Sequence, residues 1–238
     1  MMIISRFTLA LSLPLFVATT SAAQQPPCLP FQPGERLEYH VHVDRMGATG
    51  HGAMWVAAAE SVRGIGTWAL HFETRAGVGP ITGTDRTASW LDPVKMASLR
   101  FVKHERHILA THDDSVEIFP DEHRWRGADG SAGDVATDAP LDELSFIYFI
   151  RTLPFTDDSA TAFVRHFEAA RNPESVRLVG RETIRTKAGT FETLIVEMRV
   201  QDPRHYKGDG IIRINLTDDA RRLPVRIESR LPTLGGTL

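Results

Sequence analysis

Hydrophobic and polar residues alternate along most of the chain. Between residues 36 and 43, Leu37, Tyr39, Val41 and Val43 alternate with charged residues and histidines. This period of two places one set of side chains on each face, so it predicts a half-buried β-strand. Glycine, proline and aspartate separate such segments at short intervals, which favours a meandering antiparallel sheet. The other alternating segments are 52–59, 67–74, 84–91, 97–103, 107–111, 116–119, 161–168, 174–181, 190–201, 208–216 and 223–231.

Residues 141–154 show helical periodicity instead. Leu144 and Tyr148 lie four positions apart on a wide apolar face, acidic residues precede them and Arg151 follows them, as the helix dipole favours. A strongly apolar helix in a β protein is expected to pack across the sheet. Residues 127–140, just before the helix, are rich in glycine, alanine and aspartate and show no periodicity. We therefore predict a mobile loop there.

These patterns predict a mainly β fold. It consists of a single large curved antiparallel sheet or open half-barrel, with one principal α-helix packed on the concave face. Because the sequence contains no internal repeat and no convincing linker, we expect residues 24–238 to form a single β-rich domain.

The first 23 residues differ from the rest of the chain. Arg6 is their only charge, an apolar segment follows at residues 7–18, and the small residues Ser21, Ala22 and Ala23 end it. This arrangement predicts a secretory signal that is cleaved near Ala23. No later segment has the about 20 apolar residues that a membrane helix needs. We therefore expect an exported, periplasmic protein with no transmembrane segment in its mature chain.

Composition excludes several classes of protein. Cys28 is the only cysteine, so no intramolecular disulfide can form, and the prolines before it argue against lipid attachment. The chain has 27 Lys and Arg residues against 30 Asp and Glu residues, and its basic residues are spread evenly. Because a nucleic-acid-binding protein concentrates positive charge on one face, we expect no nucleic-acid partner.

Three segments carry a family resemblance. Residues 31–39 read Phe-Gln-Pro-Gly-Glu-Arg-Leu-Glu-Tyr, and residues 179–191 read Val-Gly-Arg-Glu-Thr-Ile-Arg-Thr-Lys-Ala-Gly-Thr-Phe. Residues 216–228 read Leu-Thr-Asp-Asp-Ala-Arg-Arg-Leu-Pro-Val-Arg-Ile-Glu. Together with the apolar helix between them, these segments resemble a bacterial family of exported proteins known only as a domain of unknown function (number 3108).

The resemblance implies a curved antiparallel sheet with a helix against its concave face. It implies no established activity and no site residues. Such a shape is similar to that of periplasmic carriers of lipoproteins and apolar ligands, but this is a similarity of shape alone.

Polar residues give no clear catalytic or metal motif. His40 and His42 share one face of a strand, and His104 and His107 flank Glu105, but these spacings match no standard metal site. We therefore expect no metal and no cofactor. The sequence has no Gly-x-Ser-x-Gly elbow and no recognisable nucleophile with its base, so the catalytic residues of any enzyme would be unknown.

Large apolar residues suggest a different role. If several of them share the concave face with the helix, they would line a cavity for an acyl chain; the alternative is an ordinary core. We therefore expect non-enzymatic binding or shielding of an apolar or lipid-like ligand in the cell envelope. The alternatives are an envelope adaptor that uses a sheet edge to add a partner's strand, and a hydrolase with a non-standard site. The predicted ligand-binding residues are Trp55, Phe72, Trp90, Phe101, Leu144 and Tyr148.

Overall fold

The protein is described by a computed structural model over residues 28–43, 47–107, 111–156, 159–201, 208–231 and 236–237. The predicted signal segment, residues 1–23, lies outside the described residues, as do residues 108–110 of the predicted strand 107–111. Within the described ranges, no helix is both long and apolar enough to cross a membrane.

The first sheet has eight antiparallel strands that follow chain order. They are β1 (Arg36–Val43), β2 (Ala48–Val62), β3 (Ile65–Val78), β4 (Ile81–Asp92), β5 (Ala97–Arg106), β6 (Thr111–Phe119), β7 (Arg124–Gly127) and β8 (Ala132–Asp134).

The second sheet has six antiparallel strands and follows the α-helix α1 (Glu143–Ile150). Its strands are β9 (Thr161–Phe163), β10 (Glu174–Thr186), β11 (Gly189–Gln201), β12 (Asp209–Thr217), β13 (Pro224–Leu231) and β14 (Gly236–Thr237). They also lie side by side in chain order. Local hairpins therefore account for both sheets.

Close strand contact requires glycine at position 50 of the first sheet. A Cβ atom on Gly50 of β2 would lie 1.8 Å from the Arg75 carbonyl oxygen on β3. No side chain fits there without moving the backbone. Gly66 of β3 is a contrasting case, because a Cβ atom on it would meet nothing within 4 Å.

The helix α1 begins at a complete capping box. The buried Asp142 carboxylate accepts hydrogen bonds from the backbone N–H groups of Leu144 and Ser145, and Ser145 Oγ in turn accepts one from the Asp142 N–H. These contacts satisfy backbone donors that a helix start leaves free. The helix ends at Ile150, with Arg151 as its C-cap, so it is shorter than the predicted segment 141–154.

One large apolar core joins the two sheets and the helix. It contains side chains from β2 to β4, α1 and β10 to β12, for example Leu70, Phe146, Leu194 and Ile214, all of which are fully buried. A smaller cluster contains Phe101, Val116, Ile118, Trp125, Val135 and Phe167. The helix therefore lies inside the molecule, against the inner faces of the sheets.

Over the described residues, the structure confirms a mainly β, antiparallel fold that is not closed into a barrel and has one α-helix. Its strands divide into an eight-stranded and a six-stranded sheet, with the segment that contains α1 between them. The prediction of a mobile loop over residues 127–140 is wrong, because β8 lies within this segment and pairs with β7, and Val135 is buried. These strands have only four and three residues, which is too short for an alternating pattern to be recognised.

Candidate functional site

The inner face of the first sheet changes character along its strands. Near α1, Leu70 faces Ser89 across β3 and β4, and both are fully buried. Four residues farther from the helix, Thr74 faces Asp85, which in turn faces Glu105 of β5. The face is thus covered and fully buried beside the helix, but polar and partly exposed at its far end.

A buried polar network ties the helix start to the first sheet. Ser89 Oγ donates to Asp142 Oδ2 at 2.6 Å, and Ser98 Oγ donates to Ser145 Oγ at 2.7 Å. Burial raises the pKa of Asp142 to about 6, although its hydrogen bonds favour the charged form. Because all four residues are fully buried, the network positions α1 and presents no group to a solute.

Charged groups, buried or half-buried, also lie beside the start of the helix. Arg171 forms an ion pair with Glu143, and although burial opposes ionisation, Arg171 and its neighbours hold the pKa of this carboxyl below its usual range. Burial raises the pKa of Glu174, at the start of β10, to about 8. Its Oε2 atom is buried and has no hydrogen-bond partner among the described residues. Burial therefore favours the protonated, neutral form of Glu174.

Arg151 joins three segments of the chain at the end of α1. Its guanidinium donates to both carboxylate oxygens of Glu35 at 2.6 and 2.8 Å, to the Pro30 carbonyl at 2.9 Å and to the Arg221 carbonyl at 3.1 Å. Glu35 directly precedes β1, and Arg221 lies shortly before β13. One strand from each sheet, β1 and β13, therefore begins near the same buried cation.

We call the boundary between β1 and β13 the seam. Tyr39 of β1 reaches across it and donates its hydroxyl to the Pro224 carbonyl at 2.7 Å. Within the described residues, no backbone hydrogen bond pairs β1 with β13. Half-buried apolar side chains from β1, β13 and the nearby strands β3 and β12 pack against the core: Leu37, Tyr39, Phe72, Ile212 and Ile227.

The six predicted ligand-binding residues lie in three places. Phe72, Leu144 and Tyr148 belong to the large core, where Phe72 is half-buried and the other two are buried. Phe101 is in the smaller cluster. Trp55 and Trp90 lie on the outer face of the first sheet. The structure therefore brings together three of the six.

The outer-face position of the two tryptophans follows from their contacts. Trp55 lies between the buried Met54 and Val56 on β2 and stacks on His71 with ring centres 4.7 Å apart. Trp90 donates its indole N–H to Glu60 at 2.6 Å. The side chains of Trp55 and Trp90 therefore point away from the core, opposite to the buried side chains beside them in the strands.

The candidate histidines are distributed over two faces. His40 and His51 are register partners on β1 and β2, with ring centres 5.5 Å apart. They line an open cleft of about 520 Å³ together with His42 and Arg75. These histidines and Arg75 bring ionisable groups to the cleft, which the expected acyl-chain cavity would not need. His104 pairs with Asp113 at 2.7 Å, on the outer face of β5 and β6.

Three potential metal ligands meet at the polar end of the inner face. The ligand atoms of Asp85, Glu105 and His107 all lie within 4.8 Å of one another. Sequence spacing drew attention to Glu105 and His107 but not to Asp85, which lies 20 residues earlier. Strand register supplies the missing residue, because Asp85 faces Glu105 directly.

The sequence matches the family described as "Protein of unknown function (DUF3108)" over residues 30–237. The chain belongs to this family. No curated protein matches it. A crystal structure of a β-barrel-like protein of the domain of unknown function DUF1849, from Brucella abortus, has a TM-score of 0.54 and 10% sequence identity to it. That alignment covers 85% of this chain and 92% of the other chain, and at this identity it establishes similarity of fold alone.

Proposed function

We propose that this DUF3108 protein is a non-enzymatic protein of the bacterial periplasm that binds or shields an apolar or lipid-like ligand between its two sheets. The observation that carries the proposal is the seam, where apolar side chains continue from the core to a boundary that strand pairing does not close in the described residues. Apolar surface at the mouth of a β fold is typical of sites for apolar ligands.

Phe72 is the predicted ligand-binding residue best placed for this role. It is half-buried, packs against the core and is the register partner of Met54, next to β1. Leu144 and Tyr148 are more deeply buried than Phe72, so they would contact only the end of a bound acyl chain. Trp55 faces the other side of the sheet, so it serves as an internal comparison.

A fluorescent acyl probe tests the binding site directly. The purified protein should enhance the fluorescence of a fatty-acid-linked, environment-sensitive dye in a saturable manner. Phe72→Ala should weaken probe binding by about tenfold, because burying a phenylalanine side chain is worth about 1.5–3 kcal/mol. Trp55→Ala should leave binding within about twofold. Equal effects of the two substitutions, or no saturable binding by the unaltered protein, would contradict the proposal.

The periplasmic location rests on the sequence of residues 1–23. Fractionation of the native organism, followed by N-terminal sequencing, should find the protein in the periplasmic fraction with Gln24 as its first residue. A protein that keeps residues 1–23, or that stays in the cytoplasm, would contradict this part of the proposal.

A second candidate function is the envelope adaptor, and the edge of β1 favours it. Within the described residues, β1 pairs only with β2 over its eight residues. The other edge could therefore take up a partner's strand over roughly 27 Å. A photo-crosslinking residue in place of His40 should then capture one specific envelope protein, whereas the same group in place of Arg86, on the interior strand β4, should not. Equal capture from both positions would count against an adaptor.

A further inference from the structure

The Asp85–Glu105–His107 cluster has the layout of a ligand set. Asp85 of β4 and Glu105 of β5 are direct register partners, and His107 lies two residues beyond Glu105. Alternate residues of an extended chain point to the same side, so the three side chains share the inner face. They are partly exposed, which leaves a dissolved ion a route to them.

Two carboxylates directly opposite each other in an antiparallel pair repel. Lys103 reduces this repulsion, because its ammonium nitrogen lies 2.6 Å from Glu105 Oε1. A carboxylate has two oxygens and about four lone-pair directions, so Glu105 can bind both Lys103 and a cation. A divalent ion between Asp85 and Glu105 would convert the remaining repulsion into attraction.

Asp85 Oδ1 provides an independent observation. This atom is buried and has no hydrogen-bond partner among the described residues, although His107 Nε2 lies only 3.0 Å away. The two atoms lie at ion-pair distance but without the geometry of a hydrogen bond. Two ligands that are each about 2.1 Å from one tetrahedral metal ion lie about 3.4 Å apart. The 3.0 Å between Asp85 Oδ1 and His107 Nε2 is within a few tenths of an ångström of this spacing, so a small shift of the exposed imidazole would let both atoms bind one ion.

Neighbouring residues outside the proposed ligand set orient the carboxylates of Asp85 and Glu105. The Thr74 hydroxyl is a hydrogen-bonding neighbour of Asp85, and Lys103 holds Glu105. Contacts of this kind fix ligating carboxylates in known metal sites. One imidazole with two carboxylates suits a divalent first-row transition metal, whereas Ca²⁺ takes six to eight oxygen ligands.

We propose that Asp85, Glu105 and His107 bind a divalent transition-metal ion, with water completing its coordination. This site is separate from the apolar seam, and either proposal can fail while the other stands.

Calorimetric titration of the metal-free, untagged protein with ZnCl₂ tests the site. We expect one equivalent of Zn²⁺ to bind at the cluster, and Asp85→Asn and His107→Gln each to weaken this binding at least tenfold. Titration with Co²⁺ should give visible absorption bands in the unaltered protein that both substitutions remove. Because His107 is half-exposed, His107→Gln should fold normally, which circular dichroism will verify.

Matched controls come from the same strands and from the other histidine pair. His104→Gln, on the outer face of β5, should leave Zn²⁺ binding unchanged, as should His40→Gln with His51→Gln. The proposal is overturned if the unaltered protein binds no Zn²⁺. It is also overturned if folded Asp85→Asn and His107→Gln proteins bind as tightly as the original, or if the loss of binding follows His40 and His51.

Discussion

Replacement of Arg151 by methionine should strongly destabilise the protein. The Arg151 side chain is 0% exposed and its partner Glu35 is 14% exposed. Arg151→Met keeps much of the buried volume but leaves the Glu35 carboxylate and two carbonyl oxygens without their donor. Removing one member of a buried ion pair costs about 3–5 kcal/mol. For a chain of this size, that loss corresponds to a fall of about 10 °C in Tm.

Urea unfolding followed by circular dichroism measures this loss. The midpoint should fall while the m-value stays constant, which indicates a change in stability alone. Adding Glu35→Gln to Arg151→Met should recover part of the loss, because it removes the unpaired charge. Arg221→Ala is the control: its side chain is 65% exposed and pairs with Asp219, so it should cost about 1 kcal/mol or less. An Arg151→Met loss as small as that of Arg221→Ala would refute the anchoring role of Arg151.

Two further predictions concern pH and backbone packing. The folded-state pKa of Glu174, about 8, exceeds its ordinary value of 4.5. The contribution of its protonated carboxyl to the free energy of unfolding is therefore greatest below about pH 4.5 and is lost as pH rises towards 8. Glu174→Gln should remove up to a few kcal/mol of this loss of stability, and parallel pH profiles of the two proteins in urea unfolding would contradict the prediction. Gly50→Ala should destabilise the protein by several kcal/mol, because the new Cβ atom would meet the Arg75 carbonyl oxygen at 1.8 Å. Gly66→Ala is the control and should change stability by less than about 1 kcal/mol, because its Cβ atom would meet nothing within 4 Å. Similar melting temperatures for both variants would contradict the close strand contact.

The strands were predictable because they are long and have two different faces. In β1, exposed Arg36, Glu38 and His40 alternate with half-buried Leu37 and Tyr39, as the sequence pattern indicates. The same reasoning found β10 to β13 within a few residues of their observed ends. It could not predict the division into two sheets, because alternation within a strand carries no information about which edges remain unpaired.

Long-range polar contacts were not predictable from the chain. The sequence pattern placed Arg151 at the C-terminal end of the helix, where a positive charge interacts favourably with the helix dipole. It could not identify the partner Glu35, which is 116 residues away in the sequence, or show that both side chains are largely buried. The proximity of Asp85 to Glu105 likewise depends on strand register. Aromatic residues in successive strands were expected to share one face, but a strand exposes both faces, and Trp55 lies on the outer one.

Lipid analysis of the protein purified from its native periplasm tests the central proposal most directly. Mass spectrometry of the organic extract should find one lipid class enriched in stoichiometric amount, and the Phe72→Ala protein should lose most of it while Trp55→Ala keeps it. An extract with no lipid above the level of an unrelated periplasmic protein prepared in parallel would contradict the proposal that this DUF3108 protein binds an apolar ligand.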